Sequence, residues 1–237
     1  MPIQIPLSSS MRRIYAVDIG TTLKKKAFAW AVTQPESEEV WAGQCIENLV
    51  EAMATDLRQG VSVALGLEAP LFLPVPDSAD DLSKGRPVDT NRSCFAPACG
   101  YVATLALHQA AWMLRELRKT CRTPCSFTLD PALWYPREGS PVLFCWEAFV
   151  STTAHAEKGR EGGHMADAAT AARFFVEKEN VLRSESKTAA KNPISLIGAA
   201  ALWSGWSTDL TLLSMPTVVL RPDLPYEGPI SVLSVAP

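Results

Sequence analysis

The sequence predicts an α/β domain built on a mixed sheet. Two apolar runs around a short polar turn, within residues 14–32, read as a hairpin. Helix-period segments and apolar runs then alternate along the chain. Prolines and glycines punctuate the junctions between them. A hairpin feeding strand–helix alternation calls for some antiparallel and some parallel pairing, with helices lying on the sheet. The 237 residues suffice for one large domain or two small ones.

The first strand is Ile14 to Val17, and Ala27 to Val32 returns antiparallel to it. "TQPESEE" is a second turn and "VWAG" a short third strand. In residues 45–59, Ile46, Leu49, Val50, Met53 and Leu57 recur at spacings of three and four, one face of an amphipathic helix that Gly60 ends. Val61 to Leu67 is apolar throughout, as a strand covered on both faces should be. It stops at Glu68, because Pro70, Pro74 and Pro76 block its continuation.

Residues 77–97 are polar and read as a long functional loop. A helix follows from Gly100 to Lys119, its stripe formed by Ala103, Leu107, Ala110, Leu114 and Leu117. The proline-rich stretch after it reads as irregular. "VLFCWEAFV", residues 142–150, is a strand carrying Glu147. "HMADAATAARFFVEKEN" is a helix whose alanines allow close packing on a sheet. Residues 183–192 form a solvated linker, and "NPISLIGAAALWSGW" a last helix with Asn192 as cap, Pro193 in its first turn and Gly205 at its end. The tail from Ser207 is punctuated by prolines and has room for one or two edge strands. The expected organisation is a tail over 1–13, a core over 14–180, and an extension over 181–237 packed on that core.

Composition narrows the function. A net charge of −3 argues against a broad non-specific nucleic-acid footprint, though not against a local basic patch. No apolar stretch is long enough to span a bilayer. "MPIQIPLSSSMRR" lacks the basic-then-apolar order of a secretory leader, so a cytoplasmic location is expected. Cys94 and Cys99 have four residues between them and Cys121 and Cys125 have three, a poor match to zinc-site spacing. With Cys45 and Cys145, these read as reduced thiols.

The acids carry the chemistry. In α/β sheets, ligands gather beyond the carboxyl ends of parallel strands. Asp18 ends the first strand, Glu68 ends the strand after the first helix, and Asp167 lies in the first turns of the alanine-rich helix. If all three converge, their mutual repulsion calls for a cation, and hard oxygen donors select Mg²⁺ or Mn²⁺. Two such ions about 4 Å apart would clamp the attacking and leaving oxygens of a phosphodiester. Each acid also has a plainer reading: a turn cap at Asp18, a strand end at Glu68, a dipole partner at Asp167. Glu147 is either a helper or the partner of a nearby arginine. His164 shares a helical side with Asp167 and is either a water- or phosphate-orienting group or a surface histidine. Lys24, with Lys25 and Lys26, is a candidate backbone contact or simply a solvated run. Arg86 and Arg92, in the long loop, suit bidentate phosphate binding or surface ion pairing.

Element order and acid placement together resemble the ribonuclease H-like superfamily. Asp on the first strand, Glu on the fourth and Asp on the last helix is similar to the arrangement of RuvC-like resolvases, whose histidine-then-acid helix "HMADAATAA" resembles. "GLEAPLFLP", "GRPVDTNR" and "CWEAF" are similar to motifs of a family of predicted ribonuclease H-like nucleases. That family usually has further glycines after the first acid, where this chain has "VDIGTTLKKK", and commonly Asp where this chain has Glu68. The likeness covers about residues 14–178. It implies a five-stranded mixed sheet with helices on both faces. It also implies a metal-dependent nuclease with Asp18, Glu68 and Asp167 as metal ligands and catalytic groups, and a DNA or RNA partner.

"DIGTT" also resembles the first phosphate loop of the sugar kinase, actin and heat-shock ATPase superfamily. A second "DxGxGT"-type motif is lacking, and so is the length for two copies of the fold. A binding protein that keeps the fold without the metal is the third reading.

Overall fold

The computed structural model describes residues 11–24, 27–89, 100–135, 140–148, 150, 163–185, 191–222 and 231–235. It is an α/β fold on an eight-stranded mixed sheet. The strands are β1 (Arg12–Asp18), β2 (Ala29–Thr33), β3 (Glu39–Gly43), β4 (Ser62–Leu67), β5 (Phe72–Pro74), β6 (Ser126–Thr128), β7 (Val142–Ala148), β8 (Pro193–Ser195), β9 (Val219–Leu220) and β10 (Ser231–Ser234). The helices are α1 (Ile46–Arg58), α2 (Gly100–Thr120), α3 (Gly163–Lys178), α4 (Leu182–Glu185) and α5 (Leu196–Trp203).

The main sheet runs β10-β3-β2-β1-β4-β7-β6, and β9 pairs with the far end of β7. β2 is antiparallel to both its neighbours, while every other pairing in this sheet is parallel. The sheet is thus wider than the expected five strands. β6, β9 and β10 are four residues or fewer. Segments that short carry no readable alternation, so their strand character comes from the edges they cover.

Side-chain alternation assigns the two faces. Ile14 and Ala16 of β1, Ala64 of β4, and Phe144, Trp146 and Ala148 of β7 pack with Ala171, Ala172, Phe174 and Phe175 of α3. Ala168 and Ala169 of α3 meet Ala31, Val40 and Ala42, so small residues meet small residues and the helix lies close. The opposite face carries Tyr15, Val17, Val63, Leu65, Leu67, Leu143 and Cys145 under α1, α2 and α5. Tyr15 donates to Asp56 Oδ2 of α1 at 2.7 Å, fixing that helix to β1. The Trp206 indole donates to the Leu114 carbonyl at 2.8 Å, tying the end of the α5 segment to α2.

Gly60, with φ +81°, follows α1, and Gly205, with φ +77°, follows α5, both as the sequence predicts. The start of α5 differs from expectation. Asn192 does not cap it: its φ is +46°, and Pro193–Ser195 pair with β5 instead. The cap is Ser195, whose hydroxyl accepts from the Gly198 amide at 3.1 Å. β5 offered an open strand partner, and that pairing overrode the Asn-Pro helix-start signal. No helix among the described residues is long and apolar enough to cross a membrane.

Candidate metal centre

β1 and β4 are parallel neighbours with Val17 opposite Leu67, and the Glu68 amide donates to the Val17 carbonyl at 2.8 Å. Asp18 and Glu68 therefore leave the sheet side by side. Asp18 follows Ile14 and Ala16 in parity, and Glu68 follows Ala64 and Gly66, so both belong to the α3 face. Asp167 stands in the second turn of α3. One carboxylate oxygen from each of Asp18, Glu68 and Asp167 lies within 4.8 Å of the other two. Asp18 is 9 % exposed, and the Glu68 oxygens are shielded from solvent. Three acids from three elements distant in sequence thus share one small volume at the carboxyl ends of the central strands.

His164 joins them. Its Nδ1 lies 2.6 Å from Asp18 Oδ2, and about half of its side chain is exposed. The Asp18 hydrogen bond pushes the imidazole pKa above the usual 6.5 against partial desolvation, with the charges of Asp18, Asp167 and Glu68 adding to it. The carboxylates thus favour the protonated form of the imidazole beside them.

Local sequence explains the turn after Asp18. A Cβ on Gly20 would overlap the Ala27 carbonyl oxygen, so only glycine lets the β1–β2 connection close this tightly. The Gly20 carbonyl accepts from Gln109 Nε2 of α2 at 2.6 Å. Gln109 is buried, and its place beside Ala110 in an otherwise apolar stripe was the available signal. Lys24 is exposed in the same turn. Lys25, Lys26 and Arg92 fall outside the described residues.

Glu147 and Arg86 do not join the cluster. Glu147 lies opposite Leu67 in register and shares parity with Leu143 and Cys145, so its carboxylate faces away from α3. It is fully buried and binds Arg86 bidentately, Nη1 to Oε2 at 2.8 Å and Nη2 to Oε1 at 2.6 Å. Arg86, 3 % exposed, is also held by Asp89 through Nε to Oδ2 at 3.0 Å and Nη2 to Oδ1 at 2.8 Å. Burial alone would lower the arginine's pKa; the charges and hydrogen bonds of Glu147 and Asp89 reverse that, and the guanidinium stays charged. The phosphate-binding expectation for Arg86 is therefore corrected: its donors are consumed inside the protein. The arginine-partner alternative describes Glu147. Asp89 went unnoticed in the sequence; an Arg and an Asp three apart in "RPVD" was the trace it left.

Cys45, Cys121, Cys125 and Cys145 are free thiols, while Cys94 and Cys99 lie outside the described residues. No family model, curated protein or solved structure matches this chain.

Proposed function

We propose that this chain is a ribonuclease H-like hydrolase of phosphodiester bonds that depends on Mg²⁺ or Mn²⁺ held by Asp18, Glu68 and Asp167. The convergence of three carboxylate oxygens within 4.8 Å carries the reading. The donor set fits the ion: all-oxygen, anionic and hard, with no thiolate or imidazole required as ligand. The positions of the acids, on β1, at the end of β4 and on α3, support the resemblance to resolvase-type nucleases. DNA or RNA is the proposed substrate class.

A bound divalent ion supplies an activated water and charge stabilisation at the phosphate. The chain's own groups do the rest. Asp18 and Glu68 are anchored by neighbouring parallel strands, which fixes their spacing before any ligand arrives. Asp167 closes the set from a helix packed through alanines. Asp18 holds His164 through Nδ1, which leaves Nε2 as the nitrogen able to exchange a proton with substrate or water.

Asp18→Asn is expected to abolish cleavage while circular dichroism and the melting temperature show a folded protein. The assay covers single-stranded, duplex and branched DNA and RNA with Mg²⁺ and with Mn²⁺. Undiminished cleavage by the variant removes the proposal.

A further inference from the structure

We infer that the buried Glu147–Arg86–Asp89 cluster is a positioning device that sets where the Glu68 carboxylate stands. The inference rests on the reading of Asp18, Glu68 and Asp167 as a divalent-metal site. The chain around Glu68 is short and held at both ends. Upstream, the Glu68 amide is the last rung onto β1, donating to Val17. Pro70 has no amide to give. The Ala69 amide turns back to the Leu67 carbonyl at 2.9 Å, so the first donor to reach out of the segment is the Leu71 N–H, which goes to Glu147 Oε2 at 3.0 Å. The Leu71 carbonyl in turn accepts from the Leu196 amide at 2.9 Å. Glu68 therefore sits in a span of four residues whose downstream end is held by Glu147 on the Leu71 amide and by the Leu196 and Ile197 amides on the Leu71 carbonyl.

That carboxylate is itself immobilised. Arg86 grips both Glu147 oxygens, Asp89 grips Arg86 and accepts from its backbone amide at 3.0 Å, and the guanidinium lies 4.7 Å from the centre of the Phe72 ring. Three buried charges are a costly way to hold a loop, and well-packed apolar side chains would be as stable. What a bidentate pair adds is fixed geometry. Here the fixed atom is one backbone amide away from the segment that bears Glu68. The cluster and the metal site lie on opposite faces of the sheet at the carboxyl ends of its central strands, so the device acts through the backbone without touching an ion.

The test uses the full chain and titrates Mn²⁺ by calorimetry, with hydrogen exchange of the Leu71 amide as a second readout. Glu147→Gln keeps the side-chain volume and removes the charge. It is expected to weaken Mn²⁺ binding roughly tenfold, as loss of an outer partner of a metal ligand does, and to speed exchange at Leu71. Leu117→Ala, which opens a cavity in the remote core under α2, lowers stability by another route and is expected to leave Mn²⁺ affinity unchanged. If Glu147→Gln does not fold, the triple variant Arg86→Met, Asp89→Asn, Glu147→Gln leaves no charge in this cluster and is read the same way. Mn²⁺ affinity equal to wild type in the cluster variant, with binding lost in Asp18→Asn, overturns the positioning role and spares the metal site. Equal weakening in Leu117→Ala also overturns it, because general loosening then explains the effect. A wild-type protein that binds no Mn²⁺ overturns both readings.

Discussion

The two faces of the sheet, at the carboxyl ends of its central strands, put the same residue type to opposite uses. On the α3 face, Asp18, Glu68 and Asp167 crowd together beside a half-exposed histidine that is hydrogen-bonded to Asp18. On the other face, Glu147 and Asp89 enclose an arginine and are sealed from water. The acids of β4 and β7 differ by one residue of register, and strand alternation converts that step into a change of face. Repelling carboxylates brought together with no arginine or lysine described among them are a latent cation site. Carboxylates matched to a buried guanidinium are part of the scaffold. The difference teaches that an acid at a strand end is informative only with its parity.

The largest effect should come from breaking the scaffold side. Arg86→Met leaves two buried carboxylates facing each other and is expected to cost about 3–5 kcal/mol, read as a lower denaturant midpoint. A loss under 1 kcal/mol would mean that the two faces differ less than their burial implies. Next in size is the response to metal. Mn²⁺ at about 100 times its dissociation constant should stabilise the wild type by about 2.7 kcal/mol and leave Asp18→Asn unmoved. Equal stabilisation of both proteins would place the ion elsewhere. Smaller, and opposite in sign to the Arg86 variant, is Asp167→Asn in metal-free buffer. Removing one of three crowded charges should raise stability by about 1 kcal/mol, as function-bearing strain commonly allows. A loss of stability there would make Asp167 a structural acid.

The contrast between the faces was only half legible in the sequence. The ends of β1 and β4 were marked by an apolar run halting at an acid, with Gly20 or Pro70 close behind, and the alanine-rich helix carried Asp167 near its start. Those cues are local, and they located the three acids. The orientation of Glu147 was not local. β7 is buried on both faces, so "VLFCWEA" has no polar–apolar alternation, and only its register against Leu67 turns Glu147 away from α3. Arg86 lay in a polar loop that read as exposed, and its burial depends on partners at Asp89 and, across the fold, Glu147. β5 and β8 are three residues each, and each is a strand because the other is there. Apart from the local Arg86–Asp89 contact, what failed to show was a pairing between segments far apart in the chain.

The smallest effect, and the most selective, belongs to His164. Its titration followed by NMR should lie above 6.5, chiefly because Asp18 accepts its hydrogen bond, and Asp18→Asn should return it toward that value. The linked stability has a definite sign. A histidine raised in the folded state adds stability that is complete below the unfolded value near 6.5 and is lost as the pH rises through the higher folded value. With about half of the ring exposed, the amplitude is small. Mg²⁺ sharpens the comparison, because a cation among the three carboxylates offsets the charges that favour the protonated imidazole and should draw the His164 titration downward. The Arg86 side cannot answer in this way, since its guanidinium stays charged across the same range. A His164 titration indifferent to both Asp18→Asn and Mg²⁺ would separate the histidine from the acids.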